Sequence, residues 1–296
     1  MKIVLEPSQP FNLDLTLCCG QAFRWEKFGE WWYGTIKNKP LKVRQTGNVI
    51  EFENANSNLV KTYFGLSDDL SLILSKITRD RHIGEAVKTL KGLRILRQDP
   101  WECLISYICA TYKNIPAIKR MLHNLSKRFG ERTVLDGYPL YAFPTAENLA
   151  KVSLRQLAEC GLGYRAKYVY EAAKKVVGGQ LKIEELKKED YESVREKLLT
   201  LKGVGLKVAD CVALFSLEKL EAFPVDVWIK RVMIRHYANH FEKEFIREIL
   251  FKKSLTRADY EKLGLFGRKY FGAYAGYAQE YLFHFERMAA KQSRTS

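Results

Sequence analysis

Three residues in the second half of the sequence, Lys207, Cys211 and Asp226, are of types that carry covalent and electrostatic catalysis. The first two are four apart, a spacing that in a helix stacks both side chains on one face. Asp226 follows Phe223-Pro224-Val225, where the proline stops one segment and the aspartate can cap a new helix. Singly, each has an ordinary reading: a surface lysine, a buried cysteine, a capping carboxylate. Together they could break the bond between a sugar carbon and its base. The carboxylate would stabilise positive charge developing at the anomeric carbon, and the amine would attack there. An amine, unlike water, leaves a Schiff base, whose imine acidifies the C2′ proton and lets the 3′ phosphate depart. An ammonium cannot attack, so the site must favour the neutral amine. A closed pocket would do this, and so would the positive end of the lysine's own helix. An ionised Cys211 would act the other way; its sulfur is also placed to pack against an everted base.

Lys207 comes just after Leu201-Lys202-Gly203-Val204-Gly205, which joins two amphipathic halves of SVREKLLTLKGVGLKVADCVALFSL. Two glycines so close can adopt φ > 0 and bring backbone to a ligand with no Cβ in the way. The helix that starts after Gly205 presents unpaired N–H groups and a positive dipole end, and a phosphate fits there. A plain helix C-cap at Gly203 is the alternative, but the L-x-x-L-x-G-V-G-x-K-x-A frame favours a helix-hairpin-helix over about 193–217. Such a hairpin holds backbone and reads no base. Gly203, Gly205 and Val208 are its expected DNA contacts.

The elements that must position these groups follow from the rest of the chain. Residues 22–54 alternate as a β-meander, FRWEK, WWYGTI, LKVRQ and VIEFE, separated by FGE, KNKP and TGN turns. From about residue 58 the apolar period lengthens toward helix. Asp99-Pro100 opens a helix, with Asp99 as cap. Further helices are expected near 145–160, 164–177, 190–200, 206–218, 225–238, 243–251 and 258–286. The expected division is an N-terminal antiparallel β-domain over 1–95, a two-lobed all-α region over 96–288, and a frayed tail over 289–296, in all an α+β chain.

Composition narrows the partners. The 296 residues carry 49 Lys plus Arg against 34 Asp plus Glu, a net charge of +15. Residues 1–90 hold 12 basic and 10 acidic residues, so almost all the excess lies later. A polyanion is favoured over a small acidic metabolite, although a basic surface can also serve solubility alone. The cysteines at 18, 19, 103, 109, 160 and 211 form no C-x-x-C pair, which argues against a zinc ribbon or a disulfide framework. His236 and His240 lack the glutamate of a zincin helix. No metal and no cofactor are expected. No apolar run is long enough for a membrane span and no leader pattern opens the chain, so a cytoplasmic protein is expected, nucleoid-associated if prokaryotic; a monomer is expected as well.

Beyond these readings the chain resembles the 8-oxoguanine DNA glycosylases of the helix-hairpin-helix superfamily. The resemblance is carried by Gly20-Gln21-Ala22-Phe23-Arg24-Trp25, Gln98-Asp99-Pro100-Trp101-Glu102-Cys103, Gly161-Leu162-Gly163-Tyr164-Arg165-Ala166, the hairpin with Lys207, Pro224-Val225-Asp226, and Tyr274-Ala275-Gly276-Tyr277-Ala278-Gln279. It implies an N-terminal β-domain of TATA-binding-protein-like shape, two helical lobes, and excision of 8-oxoguanine from duplex DNA followed by β-elimination. Lys207 would be the Schiff-base nucleophile and Asp226 the supporting carboxylate. Gly20 would offer its carbonyl to the N7 hydrogen that only the oxidised guanine carries, and Gln279 would bond the Watson–Crick edge. Phe283 and Cys211 would sandwich the base, with Pro224 beside them. Tyr164 would be the wedge and Arg165 the reader of the opposite base.

Three positions depart from eukaryotic members and resemble a prokaryotic branch. Thr111-Tyr112-Lys113-Asn114 replaces an asparagine run, so Tyr112 could plug the vacated gap by stacking. A second cytosine-reading arginine is replaced by Ala117, and a histidine after the aspartate by Trp228. Weaker preference for cytosine opposite the lesion is expected. The superfamily's iron–sulfur cluster is not, since no cysteine follows Cys211. Two other readings compete: a monofunctional glycosylase for alkylated bases that uses water, and a noncatalytic DNA-binding module.

Overall fold

The computed structural model describes residues 1–295, with side chains to residue 290. Alternating apolar residues build a five-stranded antiparallel sheet: β1 (Lys2–Val4), β2 (Glu26–Phe28), β3 (Trp31–Ile36), β4 (Lys39–Thr46) and β5 (Val49–Glu53), in the order β1-β5-β4-β3-β2. Val43 pairs with Trp32 on one side and Phe52 on the other, and all three are buried. Lys37 and Asn38 both take φ > 0 (47° and 62°), the conformation that a two-residue hairpin between twisted strands demands. Two features differ from expectation. The first strand of the meander shrinks to Glu26–Phe28, and Lys2–Val4 adds an edge strand to β5.

Strands also recur in the helical region, as the hairpin Arg132–Leu135 and Tyr138–Tyr141. Three expected helical stretches are interrupted: the one over 145–160 divides into Ala146–Lys151 and Leu154–Leu157, and the apolar pattern over 101–125 and the helix expected over 258–286 also break. Pro100–Ala110, capped by Asp99 Oδ1 on the Glu102 N–H at 2.9 Å, ends before Tyr112, and Ile115–Phe129 restarts under an Asn114 cap. The expected helix over 258–286 divides into Arg257–Phe271 and Ala275–Thr295 because Gly272 (φ 72°) closes the first in a left-handed conformation. The C-terminal helix extends to Thr295; the side chains of 291–296, most of the tail expected to fray, lie outside the described residues.

Two hydrophobic cores result. The smaller gathers residues of the 3–64 stretch with Leu96; the larger takes Cys19, Phe23 and the helices from Leu70 onward. Helices Leu70–Ile77 and Arg81–Thr89 precede residue 95 yet pack into the larger core, against the C-terminal helix. Among the described residues no helix is long and apolar enough to cross a membrane.

Candidate active site

A cavity of about 560 Å³ opens where the hairpin, the C-terminal helix and the Cys18–Gly20 turn converge. Its lining includes Gly20, Lys207, Cys211, Pro224, Asp226, Gln279 and Phe283, the whole set of expected catalytic and base-contacting residues. They come from four stretches separated by up to 259 positions in sequence, which only the tertiary fold brings together.

The hairpin sets Lys207. Helices Tyr191–Leu199 and Leu206–Ser216 flank the turn, where Gly203 has φ 84° and a Cβ would fall 2.4 Å from the Tyr168 ring. Gly205 differs from expectation: its φ is −96°, so it needs no left-handed freedom. It serves as an N-cap without a side chain, exposed and with open space around its Cα. The first N–H groups of the helix are thereby left for an outside acceptor. Val208, expected to contact DNA, is buried. Lys207 occupies the first turn, half-buried, with Nζ over the Tyr107 ring 5.1 Å from its centroid. Burial pushes the Cys211 thiol up to about 12, against the pull of Lys207, so it stays protonated at neutral pH and places no negative charge beside the amine.

Asp226 caps helix Val227–His236, with Oδ1 accepting from the Trp228 and Ile229 N–H groups, both at 2.9 Å. Desolvation raises its carboxyl above the usual carboxylate value, while the Ile229 N–H and the charge of Lys207 pull it down. A buried network ties this segment to the helix that carries Lys207. Asp210 accepts from Tyr260 Oη at 2.6 Å, Tyr191 Oη at 2.8 Å and Arg195 Nε at 2.9 Å, and the Val225 N–H donates to Tyr260 Oη at 3.2 Å. Lys207 and Asp226 thus stand on elements clamped through one carboxylate.

Gly20 has φ 107°, a conformation that favours glycine, and a Cβ there would lie 2.6 Å from Arg287 Nη1, the movable tip of that side chain. Its turn is held on both sides. Arg287 Nη2 donates to Cys18 O at 2.8 Å, while Gln98 Nε2 and Tyr107 Oη donate to Gln21 O at 2.8 and 3.2 Å.

The residues expected at the duplex divide. Tyr112 is 85 % exposed with φ 54°, a left-handed conformation that a tyrosine takes at a cost, and Tyr164 is 56 % exposed. Arg165, expected to read the opposite base, is buried; it bonds Thr111 O and lies over the Tyr164 ring at 4.4 Å. It must leave these partners to reach an opposite base. Trp228 lines the cavity and carries Arg231 over its ring at 4.8 Å.

Sequence reasoning missed Tyr107, Phe215, Glu280 and Arg287, which share the lining. Arg287 had a signal, since it follows Gln279 and Phe283 at four-residue steps. Glu280 had none. Burial pushes its carboxyl up to about 7. An unfolded glutamate titrates near 4.3, so between these values the folded chain holds a proton that the unfolded chain has lost, and stability falls as pH rises. Glu280→Gln removes this loss. Urea unfolding should show the variant gaining about 2–3 kcal/mol on wild type between pH 5 and pH 8; a pH-independent difference would reject the assignment.

Residues 3–104 match a family model described as 8-oxoguanine DNA glycosylase, N-terminal domain, and residues 105–255 match one described as HhH-GPD superfamily base excision DNA repair protein. The sequence is 35 % identical over 321 aligned residues to an N-glycosylase/DNA lyase of Saccharomyces cerevisiae, covering 95 % of this chain and 84 % of the yeast protein. Two solved structures at 33 % identity share the fold. MBOgg1 in complex with a low-affinity DNA ligand has TM-score 0.88 and covers 98 % of this chain and 96 % of that one. The 8-oxoguanine glycosylase/lyase of Clostridium acetobutylicum, in complex with duplex DNA containing cytosine opposite 8-oxoguanine, has TM-score 0.84 and covers 95 % and 93 %.

Proposed function

The chain belongs to the 8-oxoguanine DNA glycosylase family of the HhH-GPD base excision repair proteins, and from that premise we infer that it is a bifunctional enzyme: it excises 8-oxoguanine from duplex DNA and cleaves the strand at the resulting abasic site. The observation that carries the reading is the shared cavity in which Lys207, Asp226, Gly20, Cys211, Gln279 and Phe283 meet.

The hairpin binds phosphate through N–H groups at the start of helix Leu206–Ser216, and the lesion nucleotide turns out of the stack into the cavity. Gly20 O accepts the N7–H, Phe283 and the neutral Cys211 sulfur cover the ring faces, and Pro224 closes the wall. The Lys207 amine attacks C1′ as the C1′–N9 bond breaks; the bonding pair leaves with the base, which takes up a proton. Asp226 stays ionised and faces the positive sugar. Ring opening gives the imine, loss of the C2′ proton follows, and the 3′ C–O bond breaks with departure of the phosphate. One chain supplies every group, so a monomer working on chromosomal DNA suffices.

Tyr112 fills the space the nucleotide leaves, and Tyr164 wedges the duplex. With Ala117 offering no side-chain donor and Arg165 turned inward, the base opposite the lesion is read weakly. Single-turnover release of 8-oxoguanine should vary by less than about tenfold among the four opposite bases, the worth of one good base-edge interaction; a preference for cytosine above about 100-fold would contradict this. Borohydride reduction tests the chemistry as a whole. A covalent protein–DNA adduct with 8-oxoguanine duplex is expected. Base release without an adduct would favour water attack, and salt-dependent binding without base release would leave only a DNA-binding module.

A further inference from the structure

We propose that Glu280 and Arg287 read the everted base together with Gln279, so that the C-terminal helix presents two acceptors and one donor to the outer edge of the purine. The proposal rests on the glycosylase reading above. Gln279, Phe283 and Arg287 recur at four-residue steps and Glu280 precedes Arg287 by seven, which places them along one side of helix Ala275–Thr295. All four line the cavity.

Three polar atoms of this set are buried and, among the described residues, have no hydrogen-bond partner: Gln279 Oε1, Glu280 Oε1 and Arg287 Nη1. Their side chains belong to residues only 4 %, 2 % and 9 % exposed. Folded proteins rarely leave buried polar atoms unmatched, and three on one cavity wall point to a ligand that matches them. Guanine carries one acceptor, O6, and two donors, N1–H and the N2 amine, along that edge. Adenine carries a donor at N6 and an acceptor at N1, so it would set like against like at both positions.

The place of Arg287 agrees with this assignment. Its Nη1 lies beside Gly20, within 2.6 Å of where a Cβ would stand. In the purine, O6 neighbours N7, so a base whose N7–H is held by Gly20 O brings O6 toward Arg287. Glu280 then accepts from N1–H and Gln279 from the N2 amine. The guanidinium also covers the Phe283 ring at 5.1 Å, and its Nη2 holds Cys18 O, so the reader, the stacking ring and the Gly20 turn form one rigid unit.

The test is single-turnover excision from duplexes carrying 8-oxoguanine, 8-oxohypoxanthine, which lacks the N2 amine, or 8-oxoadenine, with cleavage of a preformed abasic site measured alongside. All three bases keep N7–H, so the Gly20 interaction is common to them. Wild type should favour 8-oxoguanine over 8-oxoadenine by at least about 100-fold, as a site built around polar partners rejects analogues that leave them unpaired. Glu280→Met and Arg287→Met should each lose about tenfold or more on 8-oxoguanine, the size of one charged hydrogen bond, and far less on 8-oxoadenine. Their loss on 8-oxoguanine should exceed any loss at the abasic site by a similar factor, and Glu280→Gln and Arg287→Lys, which retain an acceptor and a donor, should recover part of it. Parallel losses on all three bases, or equal losses at the abasic site, would overturn base reading and leave these residues a structural role. If Arg287→Met does not fold, the Glu280 pair decides alone. If wild type releases none of the three bases, the glycosylase reading itself fails and takes this inference with it.

Discussion

Lys207→Gln is expected to lower base release from 8-oxoguanine duplex by at least about 10³-fold and to abolish the borohydride adduct, because it removes the proposed nucleophile and leaves water as the attacker. Glutamine is one atom shorter than lysine but keeps a polar end, and the contact with the Tyr107 ring that it removes is worth at most about 1 kcal/mol, so the variant should remain folded. Duplex binding should persist, since the proposed hold on phosphate is through backbone N–H groups of the hairpin rather than through this amine. Retained binding with vanished chemistry separates a catalytic loss from a folding defect. Lys113 also lines the cavity, but it is exposed, whereas Lys207 is half-buried in the first turn of its helix. An adduct that survives in Lys207→Gln would transfer the nucleophile to another amine, with Lys113 first in line, and would end the assignment.

What is legible without the structure is local. The Gly203–Gly205 turn, the Asp99 and Asp226 caps and the meander's turn pairs are each set by the conformations a few adjacent residues permit, so their chemistry is written in short strings. What is not legible depends on distant partners or on helix phase. Lys2–Val4 is three residues long and pairs with a strand more than 40 positions later, so nothing in its own composition marks it. Gly272 reads as a tolerable glycine inside a helical pattern, at about 1 kcal/mol against alanine, and only its φ of 72° makes it a stop. Arg165 reads from its charge as a surface group, yet the Tyr164 ring and Thr111 O hold it inside. Glu280 is the extreme case. A glutamate in a helix is ordinarily solvated, and its buried position follows from which side of the C-terminal helix meets the cavity, a matter of packing between helices rather than of the residues beside it.

Asp226→Asn should separate the two chemical steps. Asparagine caps helices as well as aspartate does, so its side-chain oxygen can still accept from the Trp228 and Ile229 N–H groups and the helix should keep its stability within about 0.5 kcal/mol. Only the charge is removed. Base release passes through a sugar carrying positive charge, and losing a fixed carboxylate there should slow it by about 10²–10³-fold. Strand cleavage at a preformed abasic site starts from an aldehyde and needs no such cation, so it should fall by a far smaller factor. The pH profile gives an independent check. The ionised carboxylate is the active form and desolvation holds its proton affinity above that of an ordinary aspartate, so wild-type base release should fail on acidification at a higher pH than an exposed carboxylate would dictate. That acid limb should be absent from Asp226→Asn. Equal losses in base release and abasic-site cleavage, with the acid limb intact in the variant, would show Asp226 to be a helix cap alone.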